Sequence, residues 1–257
     1  MPEYRPLAEP HDVTYLYDGG LAGFFTCVYE SVYSRQLPTA IEVEAEAQPN
    51  LLMQKRIVTD LQKAQRVRAS IPAKVSSRGL ELIETVFLSC LPQKEVLLLR
   101  FLLRAYREGG KLLFSLGDPD LAPLLRAEKH LHQEAHLLRG FVRFADSGEA
   151  LTSAISPKNY VLPFIAPHFI TRLSGENFMI YDRTHRVALI YQDRTARIMA
   201  VDQVEFPDIT ATEELYQSLW KQFYRSIAIE SRYNPKCRMS HMPKRYWENM
   251  IEVQELL

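Results

Sequence analysis

Between Asn50 and Leu138 the chain reads as almost unbroken helix, and beyond residue 139 it turns to short strands. That change of hydrophobic period, from 3.6 to 2, limits the architectures open to it. Within the helical block an apolar run starts at Leu51. Thr59-Asp60 then offers a cap before Leu61-Gln-Lys-Ala-Gln-Arg-Val67, and Pro72 is expected to end that element. Ser76 and Ser77 cap the next helix, where Leu80, Ile83, Phe87 and Leu88 recur at helical spacing. A further helix runs from about Lys94 to Glu108 and stops at Gly109-Gly110, and another covers about Pro119 to Leu138.

Strand patterns bracket the block. Val13, Tyr15 and Tyr17 alternate up to the turn Asp18-Gly19-Gly20, and a helix carrying Phe24, Phe25, Val28 and Val32 then stops before Pro38. Gly140 to Phe144 alternates large apolar and charged residues as a strand does, with Ala150 to Ile155 as its partner across Asp146-Ser-Gly. Pro167 suits the first turn of a short helix ending near Leu173. Phe178–Asp182, Val187–Tyr191 and Ala196–Val201 make an antiparallel meander, and a last helix spans about Glu213 to Ile229. With no βαβ rhythm, the pattern predicts an α+β fold. An antiparallel sheet would carry a large, mostly helical block inserted between its N-terminal strand and the remaining strands. The whole of 1–257 is taken as one domain, divided into a helical block (50–138), a strand-rich part (139–205) and a C-terminal helix with a basic tail (211–257).

The formal net charge of +0 argues against a generally basic DNA-coating protein, so local imbalance is the useful quantity. Lys55 to Arg78 holds seven cations against Asp60 alone, and Lys221 to Trp247 holds seven against Glu230 alone. The densest stretch, Arg232 to Trp247, contains five cations, no carboxylate and the pair Tyr246-Trp247, and Pro235 and Pro243 break it into turns. Cations beside flat rings are the chemistry of holding a phosphate chain and stacking its bases. Arg232, Arg238, Lys244, Arg245 and Tyr246 are therefore candidate nucleic-acid contacts, with Asn234-Pro235 as the turn that aims them and Trp247 as the anchor, buried while its neighbours lie nearer solvent.

Arg139 and Arg143 flank Phe141, so on a strand the three would share one face as a stacking platform, or Phe141 would be a covered edge residue. His168 and Arg172 share a helical face at i and i+4. His168 is the best acid–base candidate, with Asp182 to orient it, and a structural histidine beside a surface arginine is the plainer alternative. Lys63 and Arg66 either clamp phosphate or form a solvated face with an Asp60–Lys63 pair. Asp18-Gly19-Gly20, with Gly23, either offers backbone N–H groups to a phosphate, though without a lysine or hydroxyl at P-loop spacing, or makes a tight strand-to-helix turn, the commoner role of such glycines.

His132 and His136, with Glu134 between them, lack the His-Glu-x-x-His spacing and a third ligand, so no metal is implied, and His136 is placed where the helical block meets the Arg139–Phe144 strand. The three cysteines are too widely spaced for a disulfide framework or an iron–sulfur cluster, and no cofactor is implied. The opening Met-Pro-Glu-Tyr-Arg-Pro has no leader-like apolar core. The uncharged stretch Asn159–Thr171 is too short to span a bilayer, so the expectation is a cytoplasmic protein with no membrane association.

Five blocks in order, Tyr17–Phe24, Thr59–Val67, Arg139–Phe144, Leu162–Arg172 and Arg232–Pro235 followed by Met242–Trp247, carry a family resemblance over nearly the whole chain. The chain resembles a bacterial family of unknown function assigned to DNA metabolism or DNA repair, whose members are encoded beside a radical-SAM protein and are sometimes fused to a uracil-DNA glycosylase domain. It is similar to the stand-alone form, since it ends about ten residues after Tyr246-Trp247, and base excision does not carry over. It departs from the family pattern at Thr184-His185-Arg186, where a plain aspartate-then-arginine turn is expected. The resemblance implies a DNA-binding protein acting with a radical-SAM partner. An enzyme using His168 on a nucleobase or glycosidic bond, and a non-catalytic adapter docking to that partner, are the alternatives.

Overall fold

The computed structural model describes residues 9–48 and 52–254. Met1–Pro6 and the onset of the helical block at Asn50 and Leu51 lie outside the described residues. The chain divides into two compact units, 1–130 and 131–257. The α+β class holds, but two sheets stand where one antiparallel sheet was expected, and neither is purely antiparallel.

Unit 1 is built on a three-stranded parallel sheet in the order β2-β1-β3, from β1 (Glu9–Tyr17), β2 (Gln36–Val43) and β3 (Met53–Arg56). Val13, Thr14, Tyr15 and Tyr17 are all buried, as befits the central strand of a parallel sheet rather than a strand with one wet face. The sequence reading missed β2, because Pro38 was taken only as a stop. Pro10 and Pro38 bring no N–H to this end of the ladder, and the β1–β2 register slips there, between His11 and Thr14. With α1 (Leu21–Ser34) joining β1 to β2, unit 1 opens with a βαβ unit that the sequence reading denied.

α1 and α4 (Lys94–Glu108) pack on this sheet, and α2 (Leu61–Lys74) and α3 (Ser77–Phe87) pack against them. Asp60 caps α2 by accepting from the amides of Gln62 and Lys63, and Ser76 caps α3 by accepting from that of Gly79. Pro72 does not end α2; it lies in the last turn, where its ring forfeits only one hydrogen bond. Lys63 pairs with Glu30 at 2.7 Å rather than with Asp60, whose carboxylate is engaged by the cap.

The boundary between the units falls within α5 (Leu121–Phe141). This helix runs through Gly140, so the expected strand over Gly140–Phe144 does not form and β4 shrinks to Ala145–Asp146. The apolar/charged alternation there matches a helix end as well as a strand: Leu138 and Val142 fill i and i+4 of the buried stripe and Arg139 closes the last turn. Unit 2 holds a five-stranded mixed sheet, β4-β5-β6-β7-β8, with β5 (Leu151–Ile155), β6 (Phe178–Asp182), β7 (Val187–Gln192) and β8 (Thr195–Ala200). The meander β6–β8 is antiparallel as expected, and Asp193 and Arg194 both take positive φ in its two-residue turn. β5 and β6 are parallel, joined by α6 (Leu162–Arg172), which is a second βαβ unit. Pro163, not Pro167, occupies the first turn of α6, and Pro167 lies inside it.

After β8 comes α7 (Ala211–Ser226), and the basic tail then folds as α8 (Pro235–His241) between two 3-10 turns, Glu230–Arg232 and Lys244–Asn249. Tyr246, Trp247, Met250 and Val253 from this tail join Leu138, Leu162, Phe169, Ile180 and Leu189 in the core of unit 2. Among the described residues no helix is long and apolar enough to cross a membrane.

Candidate nucleic-acid interface

The basic tail is held down from within. Asn234 caps α8 by accepting from the Cys237 amide at 3.0 Å, with Pro235 at the first helical position. Trp247 is buried and donates from its indole N–H to the Met242 carbonyl at 2.8 Å. Tyr246, expected nearer solvent, is only 4% exposed, so its ring is not available for stacking on bases. Burial, chiefly, raises its phenol to about 12, and its hydroxyl donates to Glu134 Oε1 at 3.3 Å.

Glu134 is the hub of this docking. Its fully buried carboxylate accepts from the amides of Lys158 and Asn159 at 3.1 and 2.8 Å and from Asn159 Nδ2 at 2.6 Å. Arg245 closes the set at 3.2 Å, its guanidinium lying over the Tyr246 ring. These donors satisfy the buried carboxylate, and here it ties α5, the loop before α6 and the tail together. Sequence reasoning noticed Glu134 only as the residue between two histidines. Its signal was position: Leu131 and Leu138 lie at i−3 and i+4, so Glu134 stands on the apolar stripe of α5. His132 and His136 are exposed, with His132 edge-on to Phe164.

A groove of about 580 Å3 opens on the same unit. The end of α5 contributes Arg139, the connection to β4 Arg143 and Phe144, the end of α6 Phe169 and Arg172, and α7 contributes Glu213, Tyr216, Gln217 and Trp220. Arg139 is exposed and donates to the Phe164 carbonyl at 2.9 Å, and Arg172 is exposed in the last turn of α6. Tyr216 and Trp220 are 63% and 40% exposed, one helical turn apart. Sequence reasoning missed both, although their i and i+4 spacing on α7 placed them on one face. No residue of α7 is buried, and Leu215, Leu219 and Phe223 lie exposed along it.

The expected Arg139–Phe141–Arg143 platform does not exist, because these residues sit on a helix end rather than a strand. Phe141 packs against Tyr246 at 5.5 Å, and Arg143 turns to Glu252 at 2.6 Å while donating to the Gly140 and Val142 carbonyls. Burial works to raise the Glu252 carboxyl, but the bond from Arg143 leads the opposing effects and holds it below its ordinary value.

Asp182 does not orient His168. Its Oδ1 accepts from the Thr184 and His185 amides, and its Oδ2 pairs with His185 Nδ1 at 2.7 Å. Thus the departure at Thr184-His185-Arg186 has a structural partner in a wholly buried aspartate. His168 is half-buried, and desolvation first, then Arg139 and Arg172, lowers its imidazole from the usual range. Of the tail cations, Arg232 and Lys244 are exposed, and half-buried Arg238 lies over Tyr233 at 5.2 Å.

In unit 1 the Asp18 turn is structural. Asp18 accepts from the Gly20 amide at 2.9 Å and the Thr59 hydroxyl at 2.7 Å, and Gly19 has φ +82°. A Cβ on Gly23 would lie 2.2 Å from Asp18 Oδ1, so only glycine lets α1 pass this close. Two of the blocks that carry the resemblance, Tyr17–Phe24 and Thr59–Val67, therefore meet at one hydrogen bond.

The chain belongs to the family defined by a domain of unknown function, DUF4130, whose model matches residues 92–252. The match takes in α4, α5 and the groove with its docked tail. No curated protein and no solved structure matches the chain.

Proposed function

We propose that this protein binds nucleic acid through the groove of unit 2, and that it serves DNA metabolism or repair in the cytoplasm beside a radical-SAM protein. The observation that carries the reading is the pairing of Arg139 and Arg172 with the exposed rings of Tyr216 and Trp220 along one groove. Arg232, Arg238 and Lys244 supply further cations on the same unit, while Arg143 and Arg245 act indirectly by fixing the groove wall and the tail. The radical-SAM association rests on the five-block family resemblance alone.

Trp247 is buried and Trp220 is the other of the chain's two tryptophans, so quenching of indole emission by an added oligonucleotide reports on the groove. Single-stranded DNA is expected to quench it more than duplex, because stacking needs unpaired bases. The combined variant Arg139→Ala/Arg172→Ala should lower the log–log salt slope by about 0.7 per lost phosphate contact on single strands. Unchanged affinity and slope in that variant would reject the groove.

A second reading, acid–base chemistry on a nucleobase or glycosidic bond, is favoured by the neutral form of His168 beside Arg139 and Arg172. It proceeds without Asp182. His168→Gln would then abolish turnover and leave oligonucleotide binding intact; retained turnover disposes of it.

A further inference from the structure

Unit 1 has its own cavity, of about 570 Å3, where α1, α2 and α4 meet. Valines of α1 and α2 line it together with Tyr29, Tyr33, Arg35, Arg66, Lys74 and Tyr106, and it is lined by no carboxylate. Elsewhere among the helices of this unit guanidinium groups are matched: Arg68 to Glu84, Arg78 to Glu128, Arg104 to Asp118. Arg35, Arg66 and Lys74 form no ion pair among the described residues. The basic surplus read between Lys55 and Arg78 thus leaves two unmatched cations here, joined by Arg35 from the end of α1.

The rings are arranged for a flat ligand. Tyr29 and Tyr33 stack with centroids 4.1 Å apart and planes 16° from parallel, and Tyr33 remains 65% exposed, so its outer face is open. Arg66 and Lys74 already rest over Tyr29 and Tyr106, at 5.9 and 5.4 Å, which keeps both cations at the cavity wall. Ser70 gives its proton to the Val67 carbonyl at 2.7 Å, so the Tyr106 hydroxyl, 2.7 Å away, donates to Ser70 and keeps its own oxygen as an acceptor. Arg35 closes α1 with φ 55°, a conformation that usually belongs to glycine or asparagine. Holding a long cation there places charge at the cavity mouth.

We propose that this cavity binds a nucleotide, with the base stacked on the open face of Tyr33 and the phosphate held by Arg35, Arg66 and Lys74. The shared chemistry is an aromatic ring carrying a phosphate, supplied either by a free mononucleotide or by the 5′-phosphorylated end of a strand. The site stands independently of the groove in unit 2.

The test is calorimetric titration of the full-length protein with AMP, adenosine, inorganic phosphate, and a short oligonucleotide with and without a 5′-phosphate. Variants are Arg66→Ala/Lys74→Ala and Tyr33→Ala, whose wild-type side chains are exposed, with thermal unfolding as the check on folding. AMP, the 5′-phosphorylated oligonucleotide, or both should bind more tightly than adenosine or inorganic phosphate. AMP alone identifies a free nucleotide and the phosphorylated oligonucleotide alone a strand end. The double variant should weaken binding by about tenfold per lost charge-assisted contact, and Tyr33→Ala should also weaken it. Arg139→Ala/Arg172→Ala should leave AMP binding unchanged. The proposal is overturned if neither probe binds at millimolar concentration, if phosphate binds as well as AMP, or if the double variant or Tyr33→Ala has no effect.

Discussion

Glu134 and Glu252 each receive an arginine while almost wholly buried, and this sets their mutational response. Glu134→Ala removes the buried carboxylate that accepts from Lys158, Asn159 and Arg245. It should cost about 3–5 kcal/mol, read as a lower denaturant midpoint. The Glu252 carboxyl is held below its ordinary value by Arg143 against the opposing effect of burial. A carboxyl depressed in the folded state stabilises above its unfolded pKa, and that contribution is lost as pH falls through the folded value. Glu252→Gln should therefore be less stable than wild type at neutral pH and should lose less on acidification, which chemical unfolding at several pH values will measure. Gly23→Ala must push Asp18 off the Thr59 hydroxyl, and a loss of about 1–3 kcal/mol is expected in the same assay.

Among the elements, α4 and the β6–β8 meander were legible because each has one strong period with a stop at either end, Gly109-Gly110 for the helix and two turns for the strands. β2 and β3 were not. In β2, Pro38 masked the alternation of Leu37, Thr39, Ile41 and Val43, and β3, a four-residue strand reading Met-Gln-Lys-Arg, has neither alternation nor branched residues; pairing with β1 holds both. The end of α5 was misread because five residues fit both periods. That error displaced the candidate site, since Phe141 packs on Tyr246 and Arg143 turns to Glu252 instead of sharing a strand face with Arg139. α7 has no buried residue, so Tyr216→Ala should change stability by less than about 0.5 kcal/mol while weakening oligonucleotide binding. A large loss of stability in that variant would show that this face of α7 is structural.

For the molecule as a whole, the basic run that invited a nucleic-acid reading turns out to be partly a fastening. Its cations divide into those engaged inward, such as Arg245, and those facing solvent, such as Arg232 and Lys244. Sequence supplies the charge count and not this division, which depends on Glu134, far away in the chain. The same fastening has a consequence for biosynthesis. A ribosome delivers the chain from its N-terminus, so Tyr246, Trp247, Met250 and Val253 emerge long after α5 and the meander. Until they do, the core around Leu138, Leu162 and Ile180 lacks these four side chains and Glu134 lacks the Arg245 charge. The second unit thus completes its core only once residues 246–253 have been made, well after the strands of its sheet.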